Sequence, residues 1–273
     1  TSMASPVTTP ATGGSAISAD TAATPPGTGA YTTLTGPSYQ EGSPGDTGTG
    51  AIVLNAPSGF QFDSSATVTV TVTGTGAGAD VVLASSTASV TSTTITVTVN
   101  SSSTGSRTST LTWSGIKVRP TADTPLASGN MFKTGTATLS TVDGTTNFGT
   151  LTEVPGAANK LSVQSQPSST ATAGVPFVVQ PVIRIEDQFG NLVTSDNSTV
   201  VTAARSAGTG TLQGTLTATA SGGIVTFANL SHNVANTITL LFTSGSLTSA
   251  TSGNIIVTPT GDPVILDFGL ARG

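Results

Sequence analysis

The sequence predicts an all-β protein built from antiparallel sandwiches. Three observations carry that expectation: strict apolar–polar alternation, no window with helical spacing and caps, and turn residues punctuating the chain about every 8–12 residues. In "ATVTVTVTG" (66–74), Val68, Val70 and Val72 fall on one face and Thr67, Thr69, Thr71 and Thr73 on the other. "TITVTVN" (94–100) repeats the pattern with Ile95, Val97 and Val99. Period-two alternation marks a strand with one buried and one wet face, the antiparallel habit. Thr on the wet face is β-branched and uncharged, so it favours strand without adding electrostatics.

Residues 1–29 form a Ser/Thr/Pro/Ala/Gly leader. Such a segment cannot offset its own ordering entropy by apolar burial, so any order in it has to be imposed from outside the segment. A first domain, residues 30–156, follows, with candidate strands Tyr31–Thr35, Ala51–Leu54, Ala66–Thr73, Asp80–Ala84, Thr94–Asn100, Thr108–Trp113, Ile116–Arg119 and Gly135–Ser140. "EVPGAANK" (153–160) is a short linker, which predicts a semi-rigid tandem. The second domain, residues 157–260, holds Lys160–Gln166, Phe177–Glu186, Thr199–Ala204, Gly214–Ala220, Gly223–Ala228, Thr237–Thr243 and Asn254–Thr258. Seven short strands over about a hundred residues is the count of an immunoglobulin-like sandwich. The expected architecture is therefore two tandem immunoglobulin-like antiparallel β-sandwiches, with an extended leader and a C-terminal strand, residues 261–273.

Composition narrows the function. Only 8% of residues are charged, against roughly 25% in ordinary globular proteins. Ser and Thr make up about a third of the chain. The net charge is −5 and the eight Lys and Arg are scattered singly, which argues against nucleic acid as a partner. No stretch approaches the ~18 apolar residues of a membrane span. The absence of Cys removes disulfides and thiol chemistry. The start at Thr1 fits a secreted chain with its signal peptide removed, and an extracellular or cell-surface location is expected.

The second domain resembles the bacterial immunoglobulin-like repeats of large secreted surface proteins, the type found in invasin- and intimin-like adhesins. The resembling residues are "QPSSTATAGVPF" (166–177), "PVIRIEDQFGNLVTSD" (181–196), "GTGTLQGTLTATASGGIVTFANLS" (208–231) and "SGSLTSATSGNIIVTP" (244–259). "LNAPSGFQFD" (54–63), "WSGIKVRP" (113–120) and "TTNFGTLTEV" (145–154) resemble such proteins more loosely. The resemblance implies a structural or adhesive module, with no catalytic residues and no cofactor to carry over.

The C-terminal "PVILDFGLARG" (263–273) looks like the magnesium-binding segment of a protein kinase, Asp267-Phe268-Gly269. The partners that chemistry needs are missing: there is no Gly-rich phosphate loop, no catalytic-loop Asp and Asn, and no helical lobe. As a strand, the segment puts Val264, Leu266, Phe268 and Leu270 on one side and Ile265, Asp267 and Gly269 on the other. The second domain is complete by Val257, so this strand is surplus: either the last strand of its own domain or one donated to a neighbour's open edge.

Other candidates are weighed against plain structural roles. Asp187, Asn191 and Asp196 offer oxygen ligands to a metal, but "DQFGN" serves as a turn. Asn100, Asn197 and Asn229 stand in N-glycosylation sequons. His232, the single His, lies in no triad context and reads as a loop residue. Trp113 and Tyr31 suggest a carbohydrate-stacking site, although a lone Trp is more often core. The expectation is a non-enzymatic fibre subunit with copies of itself as partners, in addition to cell-surface or matrix components. The alternatives are a spacer in an adhesin stalk and a carbohydrate-binding module.

Overall fold

A computed structural model describes residues 4–260. The chain divides into two compact units, residues 1–156 and 157–273. Unit 1 contains β1 (Val7–Thr9), β2 (Ile17–Ser18), β3 (Thr32–Thr33), β4 (Ser38–Gln40), β5 (Gly50–Asn55), β6 (Phe60–Phe62), β7 (Thr69–Thr75), β8 (Val82–Leu83), β9 (Ser89–Val90), β10 (Thr94–Ser101), β11 (Thr108–Ser114), β12 (Lys117–Pro120), β13 (Ser128–Thr134) and β14 (Gly149–Val154). Unit 2 contains β15 (Lys160–Ser165), β16 (Thr170–Thr172), β17 (Val182–Glu186), β18 (Val200–Ala207), β19 (Leu212–Gln213), β20 (Thr217–Thr219), β21 (Ile224–Thr226), β22 (Ser231–His232), β23 (Thr237–Thr243), β24 (Ala250–Thr251) and β25 (Ile255–Thr258). A 3-10 turn, Ala19–Thr21, is the only helical element among the described residues.

Both units are sandwiches. Unit 1 stacks β1-β4-β11-β7 against β2-β14-β13-β5-β10-β8, with a small sheet β3-β12-β6 beside them. Unit 2 stacks β15-β17-β21 against β16-β25-β23-β18-β20. The two share one device. The first strand pairs antiparallel in one sheet (β1 with β4, β15 with β17), and the chain then switches sheets to run parallel to the last strand (β2 with β14, β16 with β25). Each sandwich is thus closed by its own last strand, the layered arrangement of immunoglobulin-like folds.

The alternation works as the sequence implies. Val68 and Val70 are buried, as are Ile95, Val97 and Val99. The wet side of β7 and β11 becomes a ladder of cross-strand hydroxyls, pairing Thr71 with Thr112, Thr73 with Thr110 and Thr75 with Thr108. Trp113, Tyr39 and Phe62 fill the centre of unit 1. In unit 2, Ile183, Ile185, Val201 and Leu240 are fully buried, and the rings of Phe227 and Phe242 stack 5.7 Å apart, within the range of a favourable aromatic pair.

The order expected to come from outside the leader is supplied by the rest of unit 1, to which every described residue of 1–29 belongs. The segment supplies β1 and β2, buries Ile17, Ala19 and Ala22, and ties Ala11 N–H to Phe148 O at 2.9 Å and Ala23 N–H to Pro120 O at 3.0 Å. Its small residues permit close approach. A Cβ on Gly14 would lie 2.5 Å from Leu151 Cδ2 and 2.7 Å from Thr150 O. A composition that reads as low-complexity is here the packing surface of a first strand.

Two strand expectations also shift. Gly135–Ser140 carries core residues Ala137 and Leu139 and is tied by separate backbone bonds, Ala137 N–H to Ala51 O, Gly48 N–H to Thr138 O and Ser140 N–H to Asp46 O, without forming a continuous ladder. The ladder strand is β13, which pairs with β14 through Ser128–Met131 and with β5 through Phe132–Thr134. Phe177–Glu186 narrows to β17, because Pro181 has no N–H for a ladder and the chain before it bends.

Candidate functional site

In a sandwich, sheet edges offer chemistry of recognition, since each unpaired edge presents free N–H and C=O groups. Several sheet-end strands have partners on their outer side among the described residues. On β7, Val70 N–H donates to Ser86 O at 2.7 Å. Near its end, the Asp80 carboxylate packs beside Gly74 and is gripped by Arg107 in a two-pronged ion pair of 2.8 and 2.7 Å. That guanidinium, helped by the Ser109 hydroxyl, holds the Asp80 carboxyl below the usual range. On β2, the 3-10 turn folds over the strand and Thr21 Oγ1 donates to Ser18 O at 2.7 Å. On β15, Leu161 N–H donates to Thr248 O at 2.8 Å.

β16 differs. Ile256 N–H donates to Ser169 O and Ala173 N–H to Thr258 O, each at 2.8 Å. The parallel ladder therefore turns residues 169, 171 and 173 toward β25 and leaves the backbone of Thr170 and Thr172 facing away. Val175 N–H takes the Thr172 carbonyl at 3.0 Å. The N–H and C=O of Thr170 and the N–H of Thr172 have no partner among the described residues. Beside this edge runs a groove of about 380 Å³, lined by Thr170, Ala171, Thr172 and Thr258 together with Val175, Pro176 and Val178. No charged residue lines it. Val178 is 90% exposed, and Val175 and the neighbouring Val179 are each about half exposed.

The sequence reading missed this edge. It places Val178 and Val179 inside a strand, Phe177–Glu186. The signal that separates them is the bracketing pair Pro176 and Pro181, which prevents a continuous ladder.

The other sequence candidates settle elsewhere. Val264, Leu266, Phe268 and Leu270 lie outside the described residues. Asp187 is fully buried, and its carboxylate accepts from Phe189 N–H at 3.0 Å, Asn191 N–H at 2.8 Å and the Asn191 amide at 2.9 Å. Asp196 closes a separate turn, accepting from Ser198 N–H, Thr199 N–H and Thr199 Oγ1. No group of three His, Cys, Asp or Glu residues is placed to hold a metal among the described residues. Asn100, Asn197 and Asn229 are all exposed; the amides of Asn197 and Asn229 engage Gly222 and Thr215 respectively. His232 is a fully buried strand residue and not a loop residue, with Nε2 2.9 Å from Thr209 O. Trp113 is 1% exposed and cannot stack on a sugar, while Tyr31 lies under the Arg119 guanidinium at 4.3 Å.

No family model matches the chain, and no curated protein matches it. Among solved structures, the chain aligns with FdeC, an adhesin of Escherichia coli, at 14% identity and a TM-score of 0.35. The alignment covers 93% of this chain and 64% of that one, so this chain spans less than two thirds of it. A superposition that loose adds no argument about function. No helix among the described residues is long and apolar enough to cross a membrane.

Proposed function

We propose that the chain is a non-enzymatic structural protein of the cell exterior that assembles with copies of itself by strand addition. One observation carries the reading: unit 2 is already closed by β25, whose neighbours β16 and β23 occupy both its sides, and the sequence then continues into a further alternating segment, Val264–Leu270. A strand with an apolar side finds cover on an unpaired sheet edge. Head-to-tail donation of this kind does not close on itself and gives a fibre.

The near absence of charge supports the same picture, because cohesion then rests on backbone pairing and apolar cover. Arg107–Asp80 and Arg184–Glu186 form ion pairs, each within one unit. The leader's β1 and β2 pair with β4 and β14 within unit 1.

Light scattering of the purified chain tests the reading, with Leu266→Asp and Phe268→Asp together as the comparison. Assembly that depends on the tail falls away in the double variant. Assembly that persists unchanged removes the tail from the mechanism. If the unsubstituted chain stays monomeric at high concentration, the second reading holds instead, a spacer of tandem sandwiches in a surface stalk; the repeated sheet-switching architecture of the two units favours that alternative.

A further inference from the structure

We propose that the acceptor for the donated strand is the β16 edge of unit 2, occupied by residues 263–270 of a second copy; this rests on the strand-addition reading above. Three features converge there. The backbone of Thr170 and Thr172 faces outward unpaired, as a strand-addition site requires. Val175, Pro176 and Val178 form an uncharged wall beside it, and Val178 is left 90% exposed. The chain itself carries a matching occupant, with Val264, Leu266, Phe268 and Leu270 on one side of an alternating segment. The docked strand places those four against the valine wall and leaves Asp267 toward water.

The occupant comes from another copy because the short route in the same chain is obstructed. Thr172 and Thr258 are register partners, so β16 and β25 end level with each other. The turn leaving β16 sits at that end, held by Ala173 N–H on Thr258 O and Val175 N–H on Thr172 O. A tail folding back from Thr258 onto the outer side of β16 would have to cross this turn, and connections at one end of a sheet avoid crossing. A strand arriving from a second molecule meets no such obstruction.

The cysteine-free chain makes the test direct. Val178→Cys and Phe268→Cys, made separately, give two full-length chains with one thiol each. Mixed and oxidised, they are expected to yield 178-to-268 linked dimers at least tenfold above a control pair using Val234→Cys, a residue of unit 2 that is 42% exposed and lies off the groove. Equal yields from the two pairs, with assembly intact by light scattering, overturn the β16 assignment and leave strand addition standing at another edge. Absence of any assembly in the unsubstituted chain overturns both. A chain carrying both Val178→Cys and Phe268→Cys that closes an internal disulfide at high dilution shows the tail docking on its own unit, and overturns the exchange between copies. Thr170→Pro supplies a second reading, since it removes the outward N–H of that residue and none of the bonds to β25. Assembly is expected to weaken about tenfold, with the unfolding of unit 2 unchanged.

Discussion

Replacing Ile17 by Ala tests whether the N-terminal segment is part of a fold or a strap laid over it. Ile17 is 1% exposed, on a two-residue strand that runs parallel to β14, in register with Glu153. If the segment is the first strand of unit 1, truncation removes buried methyl groups and leaves a cavity in a packed layer. Large-to-small changes of that kind cost about 2–5 kcal/mol. For a unit of this size, that corresponds to a fall in Tm of roughly 5–15 °C. The assay is selective by construction. Trp113 is the single Trp of the chain and is buried in unit 1, so its fluorescence in a urea titration reports that unit alone. Val7→Ala, at a position 50% exposed on β1, is the control and should stay within about 0.5 kcal/mol. A change at Ile17 as small as at Val7 refutes the reasoning, and the segment is then an accessory that unit 1 does not need.

Further expectations concern the charged groups and the cations they could bind. Glu41 is 2% exposed and accepts from Thr47 N–H at 2.9 Å, Ser103 Oγ at 2.7 Å and Ser109 N–H at 2.7 Å; Glu41→Ala strands those donors and should lower unit 1 stability by about 3 kcal/mol by the same urea assay. Asp80 is held below the ordinary carboxylate range by Arg107, so its contribution is complete above about pH 4 and is lost as pH falls through its lowered folded value. The acid limb of unit 1 stability should therefore flatten in Asp80→Asn, and an unchanged limb would show that other carboxyls dominate. Because turn donors already occupy the Asp187 and Asp196 oxygens, adding millimolar calcium should leave the thermal unfolding of both units unmoved; a rise would revive the metal reading. Assembly that rests on apolar cover should tolerate salt from low ionic strength to about 1 M, and dissolution by moderate salt would contradict it.

The sequence shows the interior strands clearly and the boundary strands poorly. β7, β10 and β11 are long and half-buried, so each writes its alternation into six or more residues. β13 does not, because Met131 is the only fully buried side chain in seven residues; it is held on both flanks by backbone ladders that leave no trace in side-chain polarity. Gly135–Ser140 shows the reverse case: Ala137 and Leu139 reach the core, while Gly135, at φ +94°, breaks the pairing. β1 and β2 are three and two residues long, and the segment around them packs through Ala11, Ala19, Ala22 and a single Ile, Ile17, a pattern that composition cannot tell from disorder.

The same limit hid the open edge, and it explains why the edge is informative. An exposed valine in a sequence is ordinary and carries no message by itself. Val178 gains meaning from what surrounds it: a strand whose outward amides lack partners, a groove without charge, and a closing strand from which the chain runs on into more alternation. In unit 1 the corresponding strand, β2, is two residues long and its Ser18 carbonyl accepts from Thr21 Oγ1 of the turn that follows. In unit 2 the Thr172 carbonyl of β16 is capped in the same way by Val175 N–H, and Thr170 adds a further outward N–H and C=O without a partner among the described residues. The two units therefore make an internal comparison between a short edge and a longer one that runs beside an uncharged groove. Grafting supplies the decisive measurement: replacing residues 173–175 with a turn copied from residues 19–22 should cover β16 and suppress assembly while unit 2 remains folded. Undiminished assembly in that chimera would mean that the open edge is incidental to how these molecules meet.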